Sequence, residues 1–271
     1  MKTILIKLSG PLQAWGTKSY FEKRKTDNHP SKSAIVGMLM CCAGYGREDT
    51  EIIKKYNSLE FAVRVDSPGF LLRDFHTAHK YKKDLDMDNV YRGECLDRTY
   101  LTNRYYLEDA TFLVGISHED DTFIDNIYED LRYPYYQPYM GRKSLPLVGN
   151  YLEGIYNESI LDLMINYPLQ ANNWEKKRLP PKVSISLYGD ENVFLNCEKD
   201  LIKSYRRDRA ISFSKKDRKY GFRNECRMDI SVDNMDSLEC RLNYPKGVDS
   251  KTDENDEHDI FLAIGGSDVS I

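Results

Sequence analysis

A lysine stands between two serines at the predicted start of an apolar helix, in the segment Pro30-Ser31-Lys32-Ser33. Ser31 or Ser33 can cap the helix AIVGMLMCCA that follows. Free backbone N–H groups at a helix start, two hydroxyls and the lysine could together hold a phosphate. A plain helix cap is the alternative, and the glycines of a Walker loop are missing.

Cations and tyrosines interleave in and around residues 77–103, where apolar periodicity is weak. Such a mixture can pair phosphates and stack bases, so the segment is predicted to be an inserted nucleic-acid-binding element. An exposed charged hairpin is the alternative. The side chains in question are Arg73, His76, His79, Lys80, Lys82, Lys83, Arg92, Arg98 and Arg104, with Tyr81, Tyr91 and Tyr100.

A third basic segment, Gly141-Arg142-Lys143-Ser144, follows Tyr135, Tyr136 and Tyr139. The glycine lets the backbone approach a ligand closely, which would bring the two cations to a phosphate or a partner's carboxylate. A surface turn is the alternative.

Charge is distributed unevenly along the chain. Residues 203–223 carry a local charge of +7, whereas the whole chain of 271 residues has a formal net charge of −4. This balance argues against a general polyanion binder, so any nucleic-acid site must be a local patch. The pattern itself assigns no role to residues 203–223.

Catalysis is a second possibility for the insert. His76, His79 and Lys80 lie close in sequence and could activate the 2′-hydroxyl of RNA without a metal. Loop histidines more often have structural roles, so the sequence favours a protein that is not an enzyme.

Metal and membrane chemistry are not expected. The six cysteines contain no CxxC pair, and the triplet Asp84, Asp86 and Asp88 lacks the glycine and glutamate of a calcium loop. No apolar stretch approaches the ~20 residues of a membrane span. The sequence therefore predicts a cytoplasmic protein with reduced cysteines, no cofactor and no membrane partner.

The elements that must position these side chains follow the order strand, helix, strand, strand, strand, helix. Strands are predicted at 3–9, 60–66, 70–76 and 104–116, and helices after Ser31 or Ser33, at 50–57 and at 120–131. This order predicts an α+β, ferredoxin-like (RRM-like) unit over residues 1–150, with the insert at about 77–103 and one open sheet face.

A smaller β-rich part is predicted for residues 151–271. Its strands are expected at 183–197, 226–232 and 259–264, with a solvated acidic loop at 249–259.

Several motifs resemble those of the family-five CRISPR-associated (RAMP-type) subunits of type I-E Cascade. They are LSGPLQAWG (8–16), PSKSAIVGML (30–39), LLRDFHT (71–77), TNRYYLEDATF (102–112) and RYPYYQPYMGRKSLPL (132–147). The resemblance covers roughly residues 1–150 and implies a ferredoxin-like palm with an inserted thumb hairpin.

The same resemblance implies a function in antiviral defence. Such a subunit binds the 5′ handle of the CRISPR RNA, caps that end of the complex and does not cut RNA. Its partners would be the backbone subunit, the large subunit and, indirectly, target DNA. A related branch from type I-C does cut repeat RNA, so a metal-independent endoribonuclease stays the alternative.

Residue patterns and resemblance together predict a set of RNA-binding residues. Arg104 matches a thumb arginine, and the first six residues of the set belong to palm motifs near the handle. The set is Gln13, Trp15, Arg24, Ser31, Lys32, Ser33, Arg73, His76, Lys80, Lys82, Arg92, Arg98, Tyr100, Arg104, Tyr139, Gly141, Arg142 and Lys143.

Overall fold

The computed structural model describes residues 1–18, 20, 22–81, 96–195, 197 and 201–237. Within these residues the chain is a mixed α+β protein with a large antiparallel sheet and short helices. The strand predicted at 259–264 and the acidic loop at 249–259 lie outside the described residues. None of the described helices is both long and apolar enough to span a membrane.

Eleven strands and five α-helices are described. The strands are β1 (Lys2–Ser9), β2 (Leu12–Gln13), β3 (Lys23–Arg24), β4 (Glu60–Ser67), β5 (Phe70–Tyr81), β6 (Leu96–Glu108), β7 (Thr111–His118), β8 (Leu152–Tyr156), β9 (Lys182–Asp190), β10 (Ile202–Ser212) and β11 (Lys219–Asp233). The helices are α1 (Lys32–Cys42), α2 (Thr50–Asn57), α3 (Asp121–Arg132), α4 (Ile160–Asn166) and α5 (Asn173–Arg178), and a 3₁₀ turn spans Glu191–Phe194.

The larger sheet has seven strands in the order β10-β11-β9-β4-β7-β1-β8, with antiparallel neighbours throughout. A smaller sheet is built on β6, which pairs with β5 and β2 antiparallel and with β3 in parallel. Strands from both sides of residue 150 therefore share one sheet, and a division of the chain at that residue stays a prediction.

The large sheet is covered on both faces. Ile4, Ile6 and Leu8 of β1 share a core with α1, α2 and α3, as the alternation in the sequence predicts. Leu5 points to the other face and packs in a second core with Met164 of α4. The expectation of one open sheet face is therefore wrong for this region, because α4 covers it.

Helix starts follow ordinary capping chemistry. Ser31 caps α1 by accepting a hydrogen bond from Ala34 N, and Asp120 caps α3 by accepting from Thr122 N and Phe123 N. Both helices begin where the sequence predicts, because Ser31 and Asp120 each precede a run of periodic apolar residues and can accept a hydrogen bond from its first turn.

Two strand predictions need correction. Residues 104–116 are not one strand: β6 ends at Glu108, Asp109 turns the chain with a φ of 53°, and β7 begins at Thr111. Aspartate tolerates this left-handed conformation better than most residues, so the turn needs no glycine or proline. The strand predicted at 183–197 stops at Asp190, where the 3₁₀ turn begins.

Candidate nucleic-acid interface

The loops at 10–16 and 138–147 contact each other, although they lie far apart in sequence. Ala14 N donates a hydrogen bond to Met140 O over 3.2 Å. Gly141 has a φ of +85°, and a Cβ at this position would lie 1.7 Å from Ala14 O. Only glycine tolerates both this backbone and this approach. The two motifs therefore form one structural unit with Gly141 at its contact.

Gln13 and Trp15 form the buried centre of this unit. Gln13 Nε2 donates to Ala110 O over 2.7 Å, and Gln13 Oε1 accepts from Trp15 Nε1 over 3.0 Å. Trp15 N donates to Thr26 Oγ1 over 2.9 Å. These two members of the predicted RNA-binding set lie in the core, where they hold the loop in position beneath the surface.

Arg142 connects the unit to the smaller sheet. Its Nη2 donates to Arg24 O over 3.0 Å and to Tyr105 O over 3.2 Å. Its guanidinium carbon lies 4.3 Å from the centre of the Tyr106 ring, a cation–π contact. Its Nη1 is buried and has no hydrogen-bond partner among the described residues. The arginine therefore connects β3 and β6, and its Nη1 amino group finds no acceptor in the described part of the chain.

Arg104 lies at the base of the β5–β6 hairpin, next to Arg24 of β3. In the strand registers it is opposite Asp74 on one side and Arg24 on the other. Its Nε is buried without a hydrogen-bond partner among the described residues. Arg73 is exposed, and its Nε donates to Asn103 Oδ1 over 2.9 Å. Strand alternation therefore places Arg104 on one face of the hairpin together with Arg24 and Asp74, and Arg73 on the other face.

Farther out, the two strands continue as a ribbon. His76 is opposite Thr102 and Ala78 is opposite Tyr100, and the backbones of Lys80 and Arg98 are paired. The chain positions Lys82 and Arg92 lie outside the described residues.

Large apolar side chains are exposed on the same hairpin. Leu71, Phe75 and Leu101 occupy one face by strand alternation, with Phe70 and Leu72 on the other. Apolar side chains exposed together in this way mark a surface that contacts a base or another chain.

The loop that contains Gly141 presents two further predicted residues. Tyr139 forms an isolated β-bridge with Pro146 and is half-buried, whereas Lys143 is exposed. The bridge closes the loop on itself, so Lys143 is carried at its tip.

The segment Pro30-Ser31-Lys32-Ser33 is placed differently from a phosphate site. Lys32 N donates to Asp208 Oδ2 over 2.9 Å, and Lys32 Nζ pairs with Asp190 Oδ2 at 2.7 Å. Ser31, Lys32 and Ser33 are all buried. The anion expected at this helix start is therefore the protein's own Asp208 carboxylate, which fills the position that a phosphate would take.

Two arginines from the basic segment 203–223 enter the same buried network. Arg223 pairs with Asp208 at 2.7 Å, with Asp190 at 3.0 Å and with Glu225 at 2.7 Å. Arg206 pairs with Glu225 at 3.0 Å. The network joins α1 to β9, β10 and β11, and these arginines therefore have a structural role that sequence reasoning missed.

Burial in this network and the charges around it shift the pKa values of His29 and Glu225. Burial alone would raise the pKa of the Glu225 carboxyl, but the His29 hydrogen bond and the charges of Arg206, His29 and Arg223 lower it to about 2. Burial lowers the pKa of His29, whose ring stacks on Tyr188 with 3.9 Å between centroids. Within the described residues, no group of three or more His, Cys, Asp or Glu side chains could hold a metal ion.

Comparison with known proteins identifies the family of the chain. The family model described as CRISPR-associated protein (Cas_Cas5) matches residues 3–226. The chain is 34% identical over 157 residues to the CRISPR system Cascade subunit CasD of Escherichia coli (strain K12). That alignment covers 53% of this chain and 66% of the relative, just under two thirds of its length.

Two solved structures have a fold similar to that of this chain. A chain of a CRISPR RNA-guided surveillance complex matches with a TM-score of 0.68 at 26% identity, covering 87% of this chain and 92% of that chain. A crystal structure described as a Cas protein matches with a TM-score of 0.55 at 25% identity, covering 87% and 97%. With its family model matched from the first strand to β11, the chain belongs to the Cas5 family of CRISPR-associated proteins.

Proposed function

We propose that the chain is a non-catalytic CRISPR RNA-binding subunit of a Cascade-type surveillance complex, where it holds the 5′ handle and caps the 5′ end of the RNA. One observation carries the proposal: among the described residues, Arg104 Nε and Arg142 Nη1 are buried without a hydrogen-bond partner, and both arginines adjoin Arg24 at the hairpin base. An unpaired buried N–H group costs about 1–3 kcal/mol. A phosphate oxygen of RNA is an acceptor that guanidinium groups bind well.

Strand order supports a ferredoxin-like palm for this subunit. Strands β4, β7, β1 and β8 are neighbours in that order, with α1 and α2 between β1 and β4 and with α3 between β7 and β8. This order supports the βαββαβ arrangement, with β5 and β6 inserted between its second and third strands. We assign the β5–β6 hairpin as the thumb, and the residues after β8 as the C-terminal part of the same subunit, since β8 (Leu152–Tyr156) is counted in the palm and the boundary at residue 150 would divide it.

The exposed apolar residues of the hairpin support a role in assembly. Phe70, Leu71 and Phe75 are each more than half exposed. A backbone subunit or the large subunit of the complex would cover such side chains, and target DNA would be reached only through those partners.

Strand geometry also supports a holding function rather than catalysis. His76 and His79 are three positions apart on β5, so their side chains lie on opposite faces of the ribbon. His79 Nδ1 is 3.1 Å from Thr99 Oγ1, a neighbour within the hairpin. The two histidines cannot converge on one 2′-hydroxyl.

Binding of a labelled 5′-handle RNA by Arg104→Ala tests the proposal. Loss of a charge-assisted contact should weaken binding by about 1.5–3 kcal/mol. Arg132→Ala is the matched control, since Arg132 is exposed on α3 with Glu129 as its surface partner. Equal affinities for Arg104→Ala and the wild type would exclude the hairpin base as the handle site.

A further inference from the structure

A second concave surface lies away from the hairpin base. It is a groove of about 1000 Å³ between α5 and β1. Its lining residues are Lys7, Ala171, Asn172, Asn173, Trp174, Lys177 and Arg178.

The short helix α5 brings an aromatic ring and two cations to the groove. Trp174, Lys177 and Arg178 occupy positions i, i+3 and i+4, which share one face of a helix. The guanidinium carbon of Arg178 lies 5.5 Å from the centre of the indole ring. Trp174 is 51% exposed, whereas Trp15 is 1% exposed. An indole held half-exposed among cations is a platform for a flat ligand.

The acidic neighbours of the groove are engaged elsewhere. Glu175 Oε1 accepts a hydrogen bond from Ser67 Oγ over 3.0 Å, and Asp236 pairs with Lys176 at 3.5 Å. In the described part of the chain, no carboxylate pairs with Lys7, Lys177 or Arg178. The three cations outnumber the Glu175 carboxylate, which keeps its charge, so the groove has a net positive charge beside its aromatic ring.

Asn172 adds a polar group to the same wall. It is the residue before α5, and its side chain makes no capping hydrogen bond to the helix. Its amide can therefore donate to or accept from the edge of a base.

The groove lies at the end of the sheet from which the hairpin emerges. Ser67, which holds Glu175, is the last residue of β4, and the hairpin begins at Phe70. Lys7 is two residues before the end of β1, where the chain enters the loop at 10–16. The groove and the hairpin base are therefore at the same end of the sheet, so an RNA strand bound at the hairpin base could extend to the groove.

We propose that this groove binds one nucleotide of single-stranded RNA, with the base stacked on Trp174 and a phosphate held by Lys7, Lys177 and Arg178. The inference rests on the proposed function and extends it, since it adds a base-stacking subsite to a subunit that holds RNA. A base needs the ring, whereas a simple anion needs only the cations. An unstacked base is presented by a single strand and not by a duplex.

Tryptophan fluorescence of the full chain provides the test, because the chain has two tryptophans and Trp174 is the exposed one. A single-stranded oligoribonucleotide should quench the emission, and Trp174→Phe should abolish most of that quenching while Trp15 still emits. Trp174→Ala should weaken binding of the oligoribonucleotide by about 5- to 150-fold. Both changes are at a half-exposed position and leave the core intact.

Adjacent lysines offer a matched pair of controls. Lys177→Ala should weaken binding, whereas Lys176→Ala should not, because Lys176 is paired with Asp236. Three outcomes would overturn the inference. Duplex RNA could quench the emission as strongly as the single strand, or inorganic polyphosphate could displace the RNA fully without changing the emission. The third outcome is an affinity of Trp174→Ala equal to that of the wild type.

The test separates this inference from the proposed function. If Arg104→Ala weakens handle binding and the Trp174 variants do not, the groove is not a subsite and the proposed function stands. If only the Trp174 variants lose affinity, the groove binds RNA and the hairpin base does not hold the handle.

Discussion

Single residues decide how the two signature loops meet. Gly141 has a left-handed backbone and packs against the carbonyl of Ala14. A glycine is required at this position of the motif because a side chain would collide with the other loop. The sequence predicted that this glycine allows a close approach, and the structure shows that the approaching group is the protein's own backbone. The motif containing Gln13 and Trp15 predicted that both residues bind RNA, yet both side chains are buried. A sequence motif does not distinguish a residue that contacts a ligand from one that supports the loop from within the core.

Gly141→Ala should lower the free energy of unfolding by roughly 3 kcal/mol or more, since left-handed strain adds to a clash with backbone. Gly149→Ala is the matched control, because Gly149 has a φ of +79° and a Cβ added there would have no atom of the described residues within 4 Å. We expect a loss of only about 1–2 kcal/mol there. Urea unfolding of both variants measures the difference, and equal losses would contradict the role of the Ala14 contact.

Elements with strong periodicity were predictable. The first strand and the helices at 50–57 and 120–131 agree with the structure to within one or two residues, because their apolar residues recur at strand or helix spacing. The strand β10 was not predicted, since Arg206 and Asp208 stand where an apolar pattern would have shown it. A buried ion-pair network leaves no hydrophobic periodicity, so composition indicated only a basic segment.

The spacing of Trp174, Lys177 and Arg178 could have been found from the sequence. The three residues have the helical spacing i, i+3, i+4 in NWEKKR. The contribution of Lys7 to the groove could not be predicted from the sequence, because it depends on β1 folding beside α5.

Shortening the hairpin tests the element assigned as the thumb. His76 and Thr102 are register partners, so replacing residues 77–101 with Asn-Gly closes the ribbon with a two-residue turn. The free energy of unfolding should change by less than about 1 kcal/mol, because the described side chains that are removed, at 77–79 and 99–101, are exposed or half-buried and none belongs to either core. The buried Tyr106 and Leu107 are retained.

Handle binding by the shortened chain should drop sharply even though Arg104 remains. A nitrocellulose-filter or anisotropy titration with 5′-handle RNA measures it, alongside circular dichroism as a check on folding. Unchanged affinity in a folded protein would show that the outer hairpin is not a thumb.

At the scale of the whole molecule, one buried network joins the start of α1 to the C-terminal strands. Arg206 and Arg223 come from the segment with a local charge of +7, yet both are paired inside the fold. The charge asymmetry along the sequence is therefore partly an internal feature. This is why it did not mark a binding surface.

Acid should weaken this junction. The pKa of Glu225 is lowered from 4.5 to about 2, so its stabilisation is complete above about pH 4.5 and is lost as the pH falls towards 2. The contribution is on the order of 3 kcal/mol. His29 acts in the same direction at higher pH, because burial lowers its pKa and the folded state resists its protonation.

Glu225→Gln should therefore flatten the fall in stability below pH 4.5, even though breaking a buried pair lowers stability at neutral pH. Urea unfolding between about pH 6 and pH 3 measures the slope. Glu129→Gln is the control, since Glu129 is exposed on α3 and lies outside the buried network, and it should leave the slope as it is in the wild type. An unchanged slope for Glu225→Gln would show that the network does not govern acid stability.

The central claim is that the hairpin base holds the 5′ handle of an intact CRISPR RNA. A photo-crosslinking amino acid at position 104, in the complex assembled with its RNA, tests this claim most directly, with position 132 on α3 as the control. We predict crosslinks from position 104 to handle nucleotides of an uncut RNA, and none from position 132. Crosslinks from position 104 that map only to the guide region, or an RNA that this chain has cut within its repeat, would contradict the claim.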